Sequence, residues 1–288
     1  MGRFAPSPTG PLHLGSLYTA LASYLDARWH NGYWLLRIDD LDTPRNRPGA
    51  VSAILACLEA FGLYWDGEIY YQSQHIQAYD DALAVLQAQK QIYGCVCSRK
   101  ILDQYPGVYP GFCRDAPPCA RQQALRVKTQ SHLIAFTDAL QGPIAENLAI
   151  QHGDFVVKRK DDIVAYQLAV VVDDHAQRIN HVVRGFDLLS STPKQWFLQN
   201  LLNYHHPEYM HVPVIVDTHG QKLSKQSYAT AINFLNPGPV LWRLLALLGQ
   251  NPPVQLDQAS VAELLEWAVE HWQPQNLKKI SAIQDTIE

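Results

Sequence analysis

Between Arg3 and Gly15 the chain runs Arg-Phe-Ala-Pro-Ser-Pro-Thr-Gly-Pro-Leu-His-Leu-Gly, residue types suited to holding phosphate. An apolar Phe4-Ala5 run breaks into a turn of Pro, Ser and Gly, and an apolar helical pattern opens at Leu14. A strand, a tight loop and a helix N-terminus gather unpaired N–H groups and the positive end of the helix dipole at one point. His13 on the rim offers a donor to a phosphate oxygen, and Arg3 at the strand end offers its guanidinium to a second anion. The stretch matches neither the Walker loop nor the dinucleotide G-x-G-x-x-G, which excludes an ordinary nicotinamide oxidoreductase. Read alone, it is equally a Pro-rich turn with an incidental histidine.

Two more groups carry potential chemistry. Lys222-Leu-Ser224-Lys225-Gln226 sets two lysines three residues apart in a polar loop, either as solvent-facing charge or as cations that neutralise a triphosphate. Cys95-Val-Cys97 is followed by Tyr109, Cys113 and Cys119 in a stretch rich in Pro and Gly. In a reducing compartment such clustering suits metal better than disulfides. Zinc takes four tetrahedral ligands and accepts thiolate. Cys95, Cys97 and Cys113 supply three, Cys119 or the Tyr109 phenolate the fourth, and free thiols are the alternative to any metal.

These groups need elements to position them. Leu14, Leu17, Tyr18, Leu21, Leu25 and Trp29 recur near the helical period, so a helix is expected over Leu14–Trp29. Tyr33–Ile38 is a short apolar run with turn residues before it and the acidic Asp39-Asp40-Leu-Asp42 after it, as a buried strand would be. Strand, helix, strand makes a right-handed βαβ unit, whose ligands sit at the carboxyl ends of its strands. Asp39 is thereby placed beside Arg3 and His13. Helices are expected at Pro48–Phe61 and His75–Gln91. The short apolar runs over 125–160 suggest a small antiparallel insertion. Ile163–Val172 is a near-continuous apolar run of the parallel-strand type, and Val182-Val183 leads to Arg184. Tyr166 and Arg184 would then come from strands of one sheet. Ser191-Thr192-Pro193 caps a helix to Leu202, Pro213–Val216 is a strand, and Pro239–Leu248 and Ala259–Trp272 are amphipathic helices. The fold class is α/β, a doubly wound parallel sheet with an insertion and a helical C-terminal region.

With 288 residues, 47% hydrophobic and 17% charged, the chain can bury a substantial core in one large or two modest domains. No run reaches the ~20 apolar residues of a membrane span. The first residues already read as a strand, so the expectation is a cytoplasmic protein without a signal peptide. The net charge of −4 speaks weakly against nucleic acid, but the acidic excess lies in the last forty residues. Lys90–Lys128 is locally basic, as contact with a phosphate backbone requires, or as a solvated face would be.

Pro6-Ser-Pro-Thr-Gly-Pro-Leu-His-Leu-Gly15 resembles the HIGH signature of class I aminoacyl-tRNA synthetases, and Lys222-Leu-Ser-Lys-Gln226 their KMSKS loop. Arg3-Phe-Ala-Pro-Ser7, Arg37-Ile-Asp-Asp-Leu-Asp42 and Val183-Arg-Gly-Phe-Asp187 with Ser191-Thr-Pro193 resemble the glutamyl branch. The cysteine pattern, and a chain that ends soon after the KMSKS-like loop where glutamyl-tRNA synthetases carry an anticodon-binding region, resemble the glutamyl-Q tRNA(Asp) synthetase family. That resemblance implies a Rossmann-like catalytic domain split over 1–92 and 150–210. It implies a zinc-containing, tRNA-contacting insertion at 93–149 and a helical region at 211–288. It also implies activation of L-glutamate with ATP and Mg²⁺, then transfer to the queuosine base of tRNA(Asp), by a monomer. Arg3, Ala5, Ser7, Asp39, Tyr166 and Arg184 would hold glutamate. His13, Gly15, Lys222, Ser224 and Lys225 would serve ATP and its chemistry, and Cys95, Cys97, Tyr109 and Cys113 would ligate zinc. The family places Glu where this chain has Asp39, and many class I members have a second His where it has Ser16. The alternatives are a shortened enzyme that charges tRNA(Glu) and a non-catalytic binding module.

Overall fold

The computed structural model describes residues 1–105, 107–117, 122–131, 133–217, 220 and 236–285. The chain opens with β1 (Gly2–Phe4), α1 (Leu14–Trp29), β2 (Trp34–Ile38), α2 (Ala50–Ala60), β3 (Tyr70–Tyr71) and α3 (Ile76–Ala88). Then come β4 (Ile92–Cys95), α4 (Arg99–Leu102), β5 (Ala124–Val127), β6 (Leu133–Asp138), β7 (Gly142–Asn147), α5 (Leu148–Gln151) and β8 (Val156–Lys158). The rest comprises α6 (Tyr166–Ala176), β9 (His181–Gly185), α7 (Thr192–Leu202), β10 (Glu208–Val212), β11 (Val214–Val216), α8 (Pro237–Leu247), α9 (Val261–Glu270) and β12 (Ala282–Gln284).

β1, β2 and β3 pair in parallel, so the expected βαβ start is present. A second sheet has the order β7-β6-β10-β9, with only β7 antiparallel. The two sheets meet where the Met1 carbonyl accepts the N–H groups of Asn180 and His181 at 3.1 and 3.2 Å. Two cores form. One packs α1, α2, α8 and α9 on β1 and β2, with Leu21, Trp34, Leu36 and Leu264 fully buried. The other packs α3, α6 and α7 against Ile134 and Phe136 of β6. Alternate residues of β10 serve the two sides: Met210 and Val212 join the first core, while Tyr209 meets Trp196 of α7. Helices on both faces are what a doubly wound α/β fold requires. No described helix is long and apolar enough to cross a membrane.

The structure corrects two expectations. Ile163–Val172 is not a strand: the chain is helical from Tyr166, and Leu168 to Asp174 are all buried. A helix enclosed on nearly every side shows no polar face, so its sequence mimics a buried strand. The runs over 125–160 also divide. β5 and β8 form an antiparallel sheet with β4, while the β6–β7 hairpin belongs to the larger sheet through β10.

Candidate active site

The carboxyl ends of β1, β2 and β9 open into a cleft of about 640 Å³. Arg3, Ala5, Ser7, His13, Gly15, Asp39, Tyr166 and Arg184 all line it. Every glutamate-pocket residue expected from the sequence is thus gathered in one place, together with the loop before α1. Tyr166 arrives from the first turn of α6, not from a strand. Lys222, Ser224 and Lys225 lie outside the described residues.

His13 is the N-cap of α1; its Nδ1 accepts the Ser16 N–H at 3.3 Å and its Nε2 lies 3.0 Å from Ser16 Oγ. With Nδ1 accepting, Nε2 carries the proton. Ser16, which stands where many class I members have their second histidine, therefore engages the first.

Five charged groups beneath the cleft form one network. Asp174 of α6 accepts Arg3 Nε at 3.1 Å and Arg37 Nη1 at 2.7 Å, with all three side chains buried. Arg37 Nε donates to Asp39 at 2.9 Å. Asp173 lies 3.9 Å behind Arg37 and is held by Tyr79 Oη at 2.7 Å and Gln72 Nε2 at 2.7 Å. Burial raises the Asp39 carboxyl to about 6, against the pull of Arg37 and with help from the Asp173 charge. Asp174 goes the other way. Burial alone would raise it, but the charges of Arg3 and Arg37 hold it below the ordinary carboxylate range.

Arg184 of β9 is 4% exposed and held from behind. Its Nε donates to His211 Nε2 at 2.9 Å and its Nη2 to Thr192 Oγ1 at 2.8 Å. Its Nη1 has no partner among the described residues. His211 Nδ1 sits 2.6 Å from Asp138 Oδ2. Burial first, and then the Arg184 charge, lower His211 to about 4. His211 is therefore neutral near pH 7, with Nδ1–H donating to Asp138 and Nε2 receiving Arg184. A fixed guanidinium whose Nη1 amino group is unused is built to take an anionic group.

Sequence reasoning missed Asp174, His211, Asp138 and Thr192. Asp174 stands two helical turns after Tyr166, a spacing that would have placed both on one face had the segment been read as a helix. His211 and Asp138 lie on strands 73 residues apart and carry no local signal.

Away from the cleft, Cys95, Cys97 and Cys113 offer sulfur atoms within 4.8 Å of one another. The Tyr109 hydroxyl lies 3.6 Å from Cys95 Sγ and 3.4 Å from Cys97 Sγ, and accepts the Cys113 N–H at 3.0 Å. Gly153 makes this loop possible. It has φ +61°, and a Cβ there would come within 2.6 Å of the Tyr109 carbonyl. Four donors at this spacing fit a zinc ion. Burial and the surrounding thiols raise the Tyr109 phenol, so a bound metal would have to displace its proton. Cys119 lies outside the described residues. The basic stretch around this loop is partly neutralised. Arg114 pairs with the buried Asp154, and Arg126 stacks 3.9 Å over the Tyr109 ring. Arg121 lies outside the described residues.

Residues 1–107 and 115–236 match the family "tRNA synthetases class I (E and Q), catalytic domain". A protein of Aromatoleum aromaticum named "Glutamyl-Q tRNA(Asp) synthetase" is 50% identical over 279 residues, 94% of this chain and 88% of that protein. Its namesake in Thiobacillus denitrificans is 50% identical over 284 residues, 96% and 94% of the two chains. The one in Pseudomonas aeruginosa is 45% identical over 285 residues, 99% and 97% of the two. Among solved structures, a glutamate tRNA ligase from Elizabethkingia meningosepticum in complex with its amino acid superposes with TM-score 0.81 at 24% identity, over 98% of this chain and 66% of that one. Glutamate-tRNA synthetase from Elizabethkingia anophelis gives 0.82 at 24% identity, over 98% and 68%. At that identity the likeness speaks for the fold alone. A family match over most of the chain, with relatives at half identity along nearly its whole length, establishes that the chain belongs to the class I tRNA synthetases of the E and Q group.

Proposed function

We propose that the chain is a ligase that activates L-glutamate with ATP and transfers the glutamyl group to the queuosine base at the wobble position of tRNA(Asp). The observation that carries this is 45–50% identity, along nearly the whole chain, to proteins named for that activity. The cleft supports it: cationic donors for a carboxylate stand beside a helix N-terminus that can receive phosphate. First, an oxygen of the glutamate α-carboxylate attacks the α-phosphorus of ATP in line, the bond to the bridging oxygen breaks, and pyrophosphate leaves. Then a queuosine hydroxyl attacks the carbonyl of the glutamyl-adenylate and AMP departs. The protein's part is positioning and electrostatics. Arg184 and Arg3 hold carboxylate, Asp39 meets the α-ammonium, and Ala5, Ser7 and Tyr166 shape the pocket. His13 and the amides near Gly15 receive phosphate, with Lys222, Ser224 and Lys225 assigned to the same task and Mg²⁺ accompanying ATP. We take the working unit to be a monomer and its place of work the cytoplasm, both open to direct measurement. Purified protein should exchange pyrophosphate into ATP with glutamate and without tRNA. Absence of that exchange, with glutamate binding intact, would leave a binding module.

The acidity of Asp39 gives this activity a pH signature. With its carboxyl near 6 in the free protein, Asp39 is charged above that pH and neutral below it. The KM for glutamate should rise as pH falls through about 6, and Asp39→Asn should give a high KM without that dependence. A flat wild-type profile would remove Asp39 from the ammonium contact.

We also propose one structural zinc, held by Cys95, Cys97, Cys113 and Tyr109. Metal analysis should find about one zinc per chain, and Cys97→Ser should lose most of it and lower the melting temperature. Full zinc content in that variant would show the ligand set to be wrong.

A further inference from the structure

A second cluster of ligating side chains lies away from both sites. α1 starts at the cleft, and its 16 residues carry the chain about 24 Å to its other end. There Asp26 and His30, four apart, share one face of the helix end and meet His181, the first residue of β9. Each offers one ligand atom, and these lie within 4.8 Å of one another. Asp26 Oδ2 is 3.3 Å from His181 Nδ1, Asp26 Oδ1 is 3.8 Å from His30 Nδ1, and the two imidazole rings sit 4.7 Å apart.

The geometry points to a binding site for one divalent transition-metal ion of the zinc or nickel class, ligated by Asp26, His30 and His181. Two imidazoles and one carboxylate are the donor set that suits such ions, whereas magnesium and calcium prefer oxygen alone. Supporting contacts are in place. The Glu208 carboxylate lies 3.6 Å from His181 Nε2, on the far side of the ring from Asp26, so it can orient that imidazole. His30 Nδ1 donates to the Asp26 carbonyl oxygen at 2.8 Å, which fixes the second ring against α1 and leaves its Nε2 lone pair for the ion. The Met1 ammonium, bonded to Asn180, and the Glu208 carboxylate act in opposite senses on His181. Asp26 is buried while His30 is 43% exposed, and all three ligands border a cleft of about 470 Å³ beside Trp29 and Trp272. An ion can therefore reach them and keep water in its remaining positions. Bound there, it ties the end of the helix that starts at His13 to the start of the strand that carries Arg184.

The test is calorimetric titration of Ni²⁺ into the full chain carrying one equivalent of zinc, which the thiolate site takes first and which leaves the Asp26–His30–His181 site open. Wild type should take up one equivalent of nickel and melt at a higher temperature with it. His30→Ala and His181→Ala should each weaken that uptake by at least about tenfold and abolish the thermal shift. His30 is exposed enough for its variant to fold normally, so it decides the matter if His181→Ala does not. No nickel uptake by wild type would overturn the site, leaving an ordinary Asp–His ion pair. Unchanged uptake by His30→Ala would overturn it too, by assigning the nickel to other ligands.

Discussion

Arg184→Ala should lower kcat/KM for glutamate-dependent pyrophosphate exchange by about 30- to 1,000-fold, corresponding to about 2–4 kcal/mol for removing one partner of a buried charged contact. The loss should fall mainly on KM, because the guanidinium meets a carboxylate present in both substrate and transition state. Arg184→Lys should not rescue it. Two of the guanidinium nitrogens are spoken for by His211 at 2.9 Å and Thr192 at 2.8 Å, and a lone ammonium cannot keep those bonds and also reach the cleft. The described hydrogen bonds of Arg184 go to neutral groups, so its removal relieves a buried charge and the melting temperature should not fall. His211 acts through Arg184, and its truncation should raise the KM for glutamate less than Arg184→Ala does. An Arg184→Ala protein with near-normal KM would remove this side chain from the pocket.

Asp174→Asn should have the largest effect on stability. The wild-type carboxylate bridges Arg3 and Arg37, and neutralising it leaves two buried guanidinium groups without that counter-charge. Breaking such a pair costs about 3–5 kcal/mol, a drop of roughly 6–15 °C in melting temperature for a chain of this size. The pH dependence has a definite sign. Because the folded carboxyl is held below its ordinary value, its contribution is complete above the unfolded-state range near 4 and disappears as pH falls through the lower folded value. The gap between wild type and variant should stay constant from about pH 5 to pH 8. A variant that melts with the wild type would show the network to be dispensable, and a gap that grows toward pH 8 would assign it to another group.

Much of the site was legible because its residues are bound to local patterns. A helix over Leu14–Trp29 follows from an apolar stripe at the helical period, and the structure gives those same ends. Arg3 and Asp39 sit at strand ends and His13 caps α1, each close to turn residues, and the parallel β1–β2 pairing helps bring them together. What stayed hidden was non-local or fully enclosed. α6 offers no polar face until Asp173, so its apolar run reads as a strand and Tyr166 is placed on the wrong element. β12 pairs three residues with β11 across a long separation, and the residues around it carry no apolar pattern of their own. The Arg184–His211–Asp138 relay and the Arg3–Asp174–Arg37 bridge depend on contacts that only the folded chain creates.

The measurement that reaches the central claim most directly is transfer of labelled glutamate to purified tRNA. It would compare tRNA(Asp) with and without queuosine, and tRNA(Glu), under the same conditions. Label on queuosine-containing tRNA(Asp) alone is the expected result. Label on tRNA(Glu) would contradict it and make the chain an enzyme of translation, and label on none of them would return it to a binding module.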